Sequence, residues 1–304
     1  MISNEEWERL KSFVEHWRRN LKRSTGLYVV NSHRGSGPDN DPAVFGRPPK
    51  STALTLTNAL MLRELESMAE LADTFEPGAA AEYRARASRL ADAVGEYMWD
   101  EEDSIYYSQE VGYQTPHIGL GVRQHTELWS TSLKVRTGTA FAMLWAGAAE
   151  DGQARAAKDR YISSPSDMYG PWGLRSLSNR HRLFNNFAFT EPTSIPPEAR
   201  RAGFVPLVPF PHGNPSNWQG PVWIVNNYLL FRSLMRYGFT DEAADLYTKT
   251  RDLLRRDIEA TGTSHENYHS ETGEGMAHTD FMCWNLCVFA MERETDGQKS
   301  VEEP

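Results

Sequence analysis

A chain of 304 residues is long enough for one large domain or two ordinary ones, and it can bury a substantial core. Its formal charge of −9, from 32 Lys and Arg against 41 Asp and Glu, argues against a nucleic-acid or anionic-membrane partner, because both need a basic face. The opening residues MISNEEWERLKS have no basic start followed by an apolar stretch, and no run approaches the length of a membrane span, which points to the cytoplasm.

The apolar periodicity is helical almost throughout. Ser3 and Glu6 have the spacing of a capping box for a first helix whose apolar line is Trp7, Leu10, Val14, Trp17 and Leu21. A second helix is predicted over about 52–75, with Leu60, Leu65, Met68 and Leu71 on or near one face. A third follows Pro77-Gly78 and carries Tyr83, Ala87, Leu90, Val94 and Met98. SIYYSQE, near 104–110, is the one stretch that reads as a short strand. Further helices are expected near 131–150, 152–162, 221–237, 240–260 and 279–293. Pro221 suits a first turn, and Thr240 and Thr279 suit N-caps. Cys283 and Cys287 would lie four apart on the last helix as small core residues, in poor geometry for a disulfide and too few for a structural zinc site. A single domain over 1–294, followed by a disordered tail at 295–304, is the economical organisation.

Long Gly/Pro/Asn-rich connections remain at 31–50, 100–130, 163–220 and 261–278, and loops of this length usually carry function. In NWQGPVWIVNNYLL, Trp218 and Trp223 flank a helix start beside Gln219 and Gly220, so at least one indole is expected to face a ligand, although large aromatics are usually core. In RGSGPDNDPAVFGRP, Asp39 stands among glycines and prolines that could present its carboxyl rigidly; Asp39, Asn40 and Asp41 are also good turn formers. In HENYHSETGEG, Glu266 lies between His265 and Asn267-Tyr268 and could polarise a water, whereas Glu271 and Glu274 read as solvated loop acids. In DMYGPWGLRSLS, Trp172 offers a stacking plane and Arg175 a cation.

Two carboxylates in separate loops surrounded by tryptophans are what glycoside hydrolysis needs. One acid protonates the leaving oxygen while the other activates water or attacks the anomeric carbon. Indole faces bind the C–H face of a pyranose, and Asn, Gln, His and Arg bond its hydroxyls. The sequence has no Gly-x-Ser-x-Gly elbow, no phosphate-cradling Gly-Lys-Ser/Thr loop and no His-Glu-x-x-His metal site, so neither a metal nor a cofactor is expected.

The order of GSGPDNDP, PWGLRSLS, NWQGPVWIVNNYLL with its following YGF, and HENYHSETGEG ending in FMCWN resembles the catalytic domain of glycoside hydrolase family 63 over roughly residues 20–292. The resemblance includes the mannosylglycerate-hydrolase-like and α-glucosidase branches and is more distantly similar to the family 37 trehalases. It implies an all-α (α/α)6 toroid and an inverting hydrolase of α-linked glucosides or mannosides. Asp39 falls on the general acid and Glu266 on the general base, which an inverting pair holds about 6.5–9.5 Å apart. The implied substrate is a small α-linked saccharide or glycosylglycerate. It would be lined by Asn40, Trp172, Arg175, Trp218, Gln219, Gly220, Trp223, His265, Tyr268 and Trp284.

Two departures stand out. Many relatives carry Arg where this chain has Gln219, and they carry several helices before the acidic loop, whereas Asp39 follows one predicted helix here. The toroid is therefore expected to be incomplete on its N-terminal side: the missing helices come from another polypeptide or a partner subunit in an oligomer, or were never included in this chain. Two alternatives follow: a catalytically silent toroid that binds saccharide or assembles with a complementary chain, and a helical-toroid epimerase using His265 and His278 as acid and base.

Overall fold

The computed structural model describes residues 2–32, 35–111, 130–163, 165–187 and 216–302, with side chains through residue 297. The expected connections at 100–130 and 163–220 lie partly outside the described residues. The chain forms two compact units, one made of Met1–Gly37 and Ala43–Lys134, the other of Pro38–Pro42 and Val135–Pro304. No described helix is long and apolar enough to cross a membrane.

The first unit opens on α1 (Asn4–Leu21), whose capping box forms as expected between Ser3 and Glu6. Trp7, Val14 and Leu21 are its buried line, and Trp7 stacks on Phe75 with ring centroids 5.8 Å apart. Strand β1 (Thr52–Ala53) leads into α2 (Thr55–Phe75), and Pro77 starts α3 (Pro77–Tyr97), whose first turn has no use for the missing N–H. Short strands β2 (Trp99–Asp100) and β3 (Ile105–Tyr106) pair with each other, and β4 (Gln109–Val111) lies between β1 and β5 (Ser130–Ser132). Asn58 on α2 is fully buried and imitates a strand edge. Its Oδ1 accepts from Tyr28 N–H at 2.8 Å, and its Nδ2 donates to Tyr28 O at 2.9 Å.

In the second unit, the helix expected over 131–150 is broken. β5 ends in the first unit, and Gly138–Phe141 forms a 3-10 turn before the short α4 (Ala142–Ala146). Helix α5 (Asp151–Tyr161) follows, then the two-stranded ribbon β6 (Tyr169–Gly170) and β7 (Gly173–Leu174). Helix α6 (Ile224–Arg236) packs against α4, α7 (Thr240–Thr261) and α8 (Cys287–Glu302). It buries Leu230, Phe231 and Leu234. It begins three residues after Pro221, because Val222 commits both its N–H and its C=O to Tyr268 of a neighbouring strand.

The segment expected to be loop at 261–278 is instead largely a hairpin of β8 (His265–Tyr268) and β9 (Gly275–Thr279). Thr279 therefore closes a strand and does not cap a helix. Helical structure resumes only at the 3-10 turn Trp284–Leu286 before α8, which runs on to Glu302. Cys283 precedes that turn and is exposed while Cys287 is half-buried, so the cysteines are not a shared core pair.

Because Asn58 satisfies two buried main-chain groups of Tyr28, Asn58→Ala should lower stability by roughly 2–4 kcal/mol in urea unfolding. Exposed Asn20→Ala in the same unit should change it by about 0.5 kcal/mol or less. Equal effects of the two would remove this role from Asn58.

Candidate active site

Four segments singled out in the sequence come together within the second unit. Three are zipped side by side through their main chains. Arg175 bridges Val222, and Val222 bridges Tyr268. Ser176 N–H donates to Pro221 O at 3.1 Å, Val222 N–H to Tyr268 O at 2.8 Å and Tyr268 N–H to Val222 O at 3.0 Å. PWGLRSLS, NWQGPVW and HENYH thus become neighbouring extended strips. Gly173 permits this at one edge: with φ of 104° it adopts a conformation side chains avoid, and an added Cβ would stand 2.5 Å from Asn227 Oδ1. Asn227 fills that space, accepting from Leu174 N–H and donating to Trp172 O and Thr250 Oγ1.

The fourth segment, Pro38–Pro42, is latched on by Asn40. Its Oδ1 accepts from Trp218 N–H at 2.6 Å, its Nδ2 donates to Asn217 Oδ1 at 3.2 Å, and its carbonyl accepts from Gln219 Nε2 at 2.8 Å. Gln219 Oε1 accepts in turn from Asn185 Nδ2 at 3.1 Å, and Asn217 Nδ2 donates to Asn185 Oδ1 at 2.8 Å. These four amides are all buried, so each is held by the others rather than by solvent. Gly220 is needed where the strip passes this cluster: a Cβ would meet Asn185 O at 2.1 Å.

The indoles take places the sequence does not predict. Trp218 and Trp223 stack on each other with centroids 4.0 Å apart and an interplanar angle of 11°. Trp223 is 1% exposed and donates Nε1–H to Asn217 O at 2.8 Å, while Trp218, 6% exposed, donates to Ser216 Oγ at 3.0 Å. Trp223 is thereby core, with Trp218 its cover. Trp172 is half-buried, with Nε1–H on Glu271 O and the Arg256 guanidinium 5.5 Å from its ring centroid. Trp284 is 38% exposed on the 3-10 turn.

Arg175, expected as a free cation, is buried. Its Nε and Nη2 donate to Glu271 Oε1 at 3.0 and 2.7 Å, and its Nη1 donates to Ser166 O. Glu271 is accordingly not a merely solvated acid: it fixes the β8–β9 turn to the β6–β7 ribbon through this pair. His265 Nδ1 lies 2.8 Å from Asp257 Oδ2 on α7, and its backbone N–H donates to the Tyr268 hydroxyl at 3.1 Å. Tyr268 is fully buried, and burial raises its hydroxyl pKa well above the usual phenol range. Both residues fasten β8 to the helices behind it. Asp257 and Asn285, which supply those fastenings, were invisible as site residues, since an acid and an amide on helices carry no local signal.

Glu266 is 8% exposed, and its Oε2 has no hydrogen-bond partner among the described residues, as is also true of Asn285 Oδ1 nearby. Burial pushes its pKa above the ordinary carboxylate value. Neighbouring His278 opposes that rise, and the negative charge of Asp39 adds to it. Asp39 is half-buried and electrostatically coupled to Glu266. Among the described residues there is no cluster of three His, Cys, Asp or Glu side chains that could hold a metal ion.

The latch predicts a specific weakness. Asn40→Ala removes the acceptor of the buried Trp218 N–H and the donor to Asn217, and should cost about 2–4 kcal/mol in urea unfolding followed by tryptophan fluorescence. Asn40→Asp keeps the acceptor for Trp218 but buries a charge and sets an oxygen against Asn217 Oδ1, so at pH 7 it should cost at least as much as the alanine variant.

Residues 4–283 match the family model described as the mannosylglycerate hydrolase MGH1-like glycoside hydrolase domain. The curated mannosylglycerate hydrolase of Rubrobacter radiotolerans is 28% identical over 236 residues, which is 77% of this chain and 42% of that protein. The chain therefore spans less than half the length of this curated relative. The solved GH63 mannosylglycerate hydrolase of Thermus thermophilus in complex with glucose has a similar fold, with a TM-score of 0.65 at 19% identity over 96% of this chain and 70% of that one. Another structure of that hydrolase, in complex with Tris and D-glycerate, gives 0.64 at 18% identity over 96% and 73%. The neutral trehalase of Saccharomyces cerevisiae gives 0.55 at 16% identity over 86% and 41%. With the family model covering nearly the whole length and the four motif segments assembled in one unit, this chain belongs to the MGH1-like mannosylglycerate hydrolase domain family of glycoside hydrolases.

Proposed function

We propose that this chain is an inverting hydrolase of α-linked glucosides or mannosides, with Asp39 as general acid and Glu266 as general base. The observation that carries the reading is the buried, unpartnered Glu266 Oε2, coupled to a second carboxyl group on a separate, rigidly latched segment. Buried polar atoms are normally bonded, so an open carboxylate oxygen marks a place for water or a substrate hydroxyl. In the reaction, Asp39 gives its proton to the glycosidic oxygen as the bond to the anomeric carbon breaks. Water attacks the opposite face and loses its proton to Glu266. Burial makes Glu266 a stronger base than a solvated glutamate, and the opposing pull of His278 limits that rise.

The relatives, whose names and bound ligands include mannosylglycerate, glucose and D-glycerate, support this substrate class. Of the predicted lining residues, Trp172 and Trp284 keep some surface exposed, and we assign the sugar-stacking role to them in preference to the buried pair Trp218 and Trp223. Asn40, Gln219, Gly220, Arg175, His265 and Tyr268 act by holding the strips in register. We also assign the (α/α)6 toroid class, which the helix pairs α2–α3 and α6–α7 support.

A second reading rests on the exposed apolar run Met282, Trp284, Leu286 and Phe289 beside the hairpin. In it, the chain binds saccharide without turnover until a complementary polypeptide covers that surface. Saccharide-dependent stabilisation without hydrolysis would favour it.

Turnover of α-mannosylglycerate, α-glucosylglycerate and trehalose decides between the two. Asp39→Asn and Glu266→Gln should each lower kcat by roughly 10²–10⁴-fold on the substrate that wild type cleaves, and NMR of the first-formed product should show the β-anomer. Retention of wild-type rates by both variants would refute the assignment, and an initial α-anomer would refute inversion. The raised Glu266 pKa also has a sign for stability. A carboxyl that is harder to ionise when folded weakens the fold as pH rises from the unfolded toward the folded pKa and stays unfavourable above it. Glu266→Gln should therefore raise Tm at pH 7 by roughly 1–4 °C, with the gain shrinking toward pH 4.

A further inference from the structure

Strand β8 carries Glu266 where its ladder with β9 breaks. His265 pairs with Thr279 and Asn267 with Met276, so two residues of β9 oppose Glu266 alone, and one of them, Ala277, has a left-handed φ of 68°. Regular pairing therefore does not fix the main chain at Glu266. The residue before it is fixed by other means.

Three polar groups of His265 are each taken by a side chain. Its N–H donates to the Tyr268 hydroxyl at 3.1 Å, its Nδ1 lies 2.8 Å from Asp257 Oδ2 on α7, and its C=O accepts from Asn285 Nδ2 at 2.9 Å. These partners are buried in their turn. Tyr268 exchanges main-chain bonds with Val222, Asp257 is on a helix, and Asn285 is the buried residue of the 3-10 turn Trp284–Leu286. Strand β9 makes room for the imidazole with Gly275, where an added Cβ would stand 2.7 Å from Asp257 Oδ1 and closer still to His265 Nδ1.

Of these contacts, the one from Asn285 acts most directly on Glu266. The carbonyl of His265 and the N–H of Glu266 belong to one planar peptide, so holding that oxygen fixes the plane and, with it, the direction in which the Glu266 side chain leaves the strand. Asn285 Nδ2 also donates to Phe281 O at 2.7 Å. Both its partners are carbonyls, so the amide nitrogen and not the oxygen must face them. Phe281 is tied to the residue before His265: its N–H donates to Ser264 O at 3.2 Å, and its C=O accepts from Ser264 Oγ at 3.0 Å. One carboxamide thus joins the turn to the strand on the approach to Glu266.

We propose that Asn285 is a positioning residue of the active site, holding the His265–Glu266 peptide so that the Glu266 carboxyl keeps its buried place. The proposal rests on Glu266 as the base, but its central measurement does not.

The test is a carbon-13 NMR titration of the Glu266 carboxyl, with its resonance assigned by its disappearance in Glu266→Gln. Burial raises the pKa of this carboxyl, and His278 of β9 and Asp39 are the charged groups that act on it. A released peptide lets the carboxyl turn toward solvent, so the midpoint should fall toward the ordinary glutamate value in Asn285→Ala. It should stay at the wild-type value in Ser233→Ala. That variant loses a buried hydroxyl bonded to Phe141 O and Leu229 O, and so lowers stability without touching the hairpin. On a cleaved substrate, kcat should drop roughly ten- to hundredfold in Asn285→Ala with KM little changed, and remain at the wild-type value in Ser233→Ala. If Asn285→Ala does not fold, Asn285→Ser, which has one donor for two carbonyls, takes its place. A Glu266 midpoint that is unmoved in the folded Asn285 variant, or that moves equally in Ser233→Ala, overturns the proposal. Wild-type turnover by Glu266→Gln overturns the catalytic reading instead, while the titration still decides whether Asn285 sets this carboxyl.

Discussion

The site depends on one constraint, the mutual satisfaction of buried amides around Asn40. Asn40, Asn185, Asn217 and Gln219 come from segments far apart in sequence, and each supplies donors or acceptors that the others lack. A half-satisfied network of this kind costs more than an apolar core, so it forms completely or not at all. Its effect is to hold the segment bearing Asp39 against the strip bearing Trp218. The main-chain zipper of Val222 and Tyr268 then joins that strip to the strand bearing Glu266. Two carboxyl groups remote from each other in sequence thereby share one frame.

Against this background the Glu266 environment is poor in partners. Its neighbours in β8 are anchored: His265 to Asp257, and Tyr268 to both Val222 and the helices behind. Glu266 itself has a strained partner strand, an open oxygen and a like charge nearby. The stabilising bonds go to the rigidity of the frame, and the carboxyl proposed as the base sits where it is least comfortable, which is the usual relation between a preorganised site and its scaffold.

Much of the helical fold was legible because burying one face imposes a 3.6-residue period. The capping box of α1, the proline start of α3 and the apolar line of α2 all appear in the sequence. Of the β-structure only SIYYSQE, which holds β3 and most of β4, was legible. The strands in the second unit are two to five residues long, too short for alternation to register, and the isolated bridges that zip the strips together join residues far apart in sequence. Pro221 illustrates the limit: its local preference for a helix start was overridden by the hydrogen bonds of Val222. For the site, the four segments singled out in the sequence do come together, but the division of labour within them was not legible. Arg175 and Trp223 have the composition of ligand contacts, yet their partners, Glu271 and the Asn217 carbonyl, draw them into the framework. Only burial and partner geometry separate a sugar platform from a core tryptophan.

Gln219 then takes on a different meaning. Its carboxamide is at once a donor to the Asn40 carbonyl and an acceptor for Asn185. An arginine, the residue that the family resemblance leads one to expect here, has no acceptor and brings a charge that the four amides cannot neutralise. Exchange between the two states therefore cannot proceed through position 219 alone: Asn185 would have to give up its donor role or turn away, and an acid would have to arrive nearby. Substitutions at 219 and 185 should be epistatic, and sequences bearing Arg at this position should differ in a block around the latch.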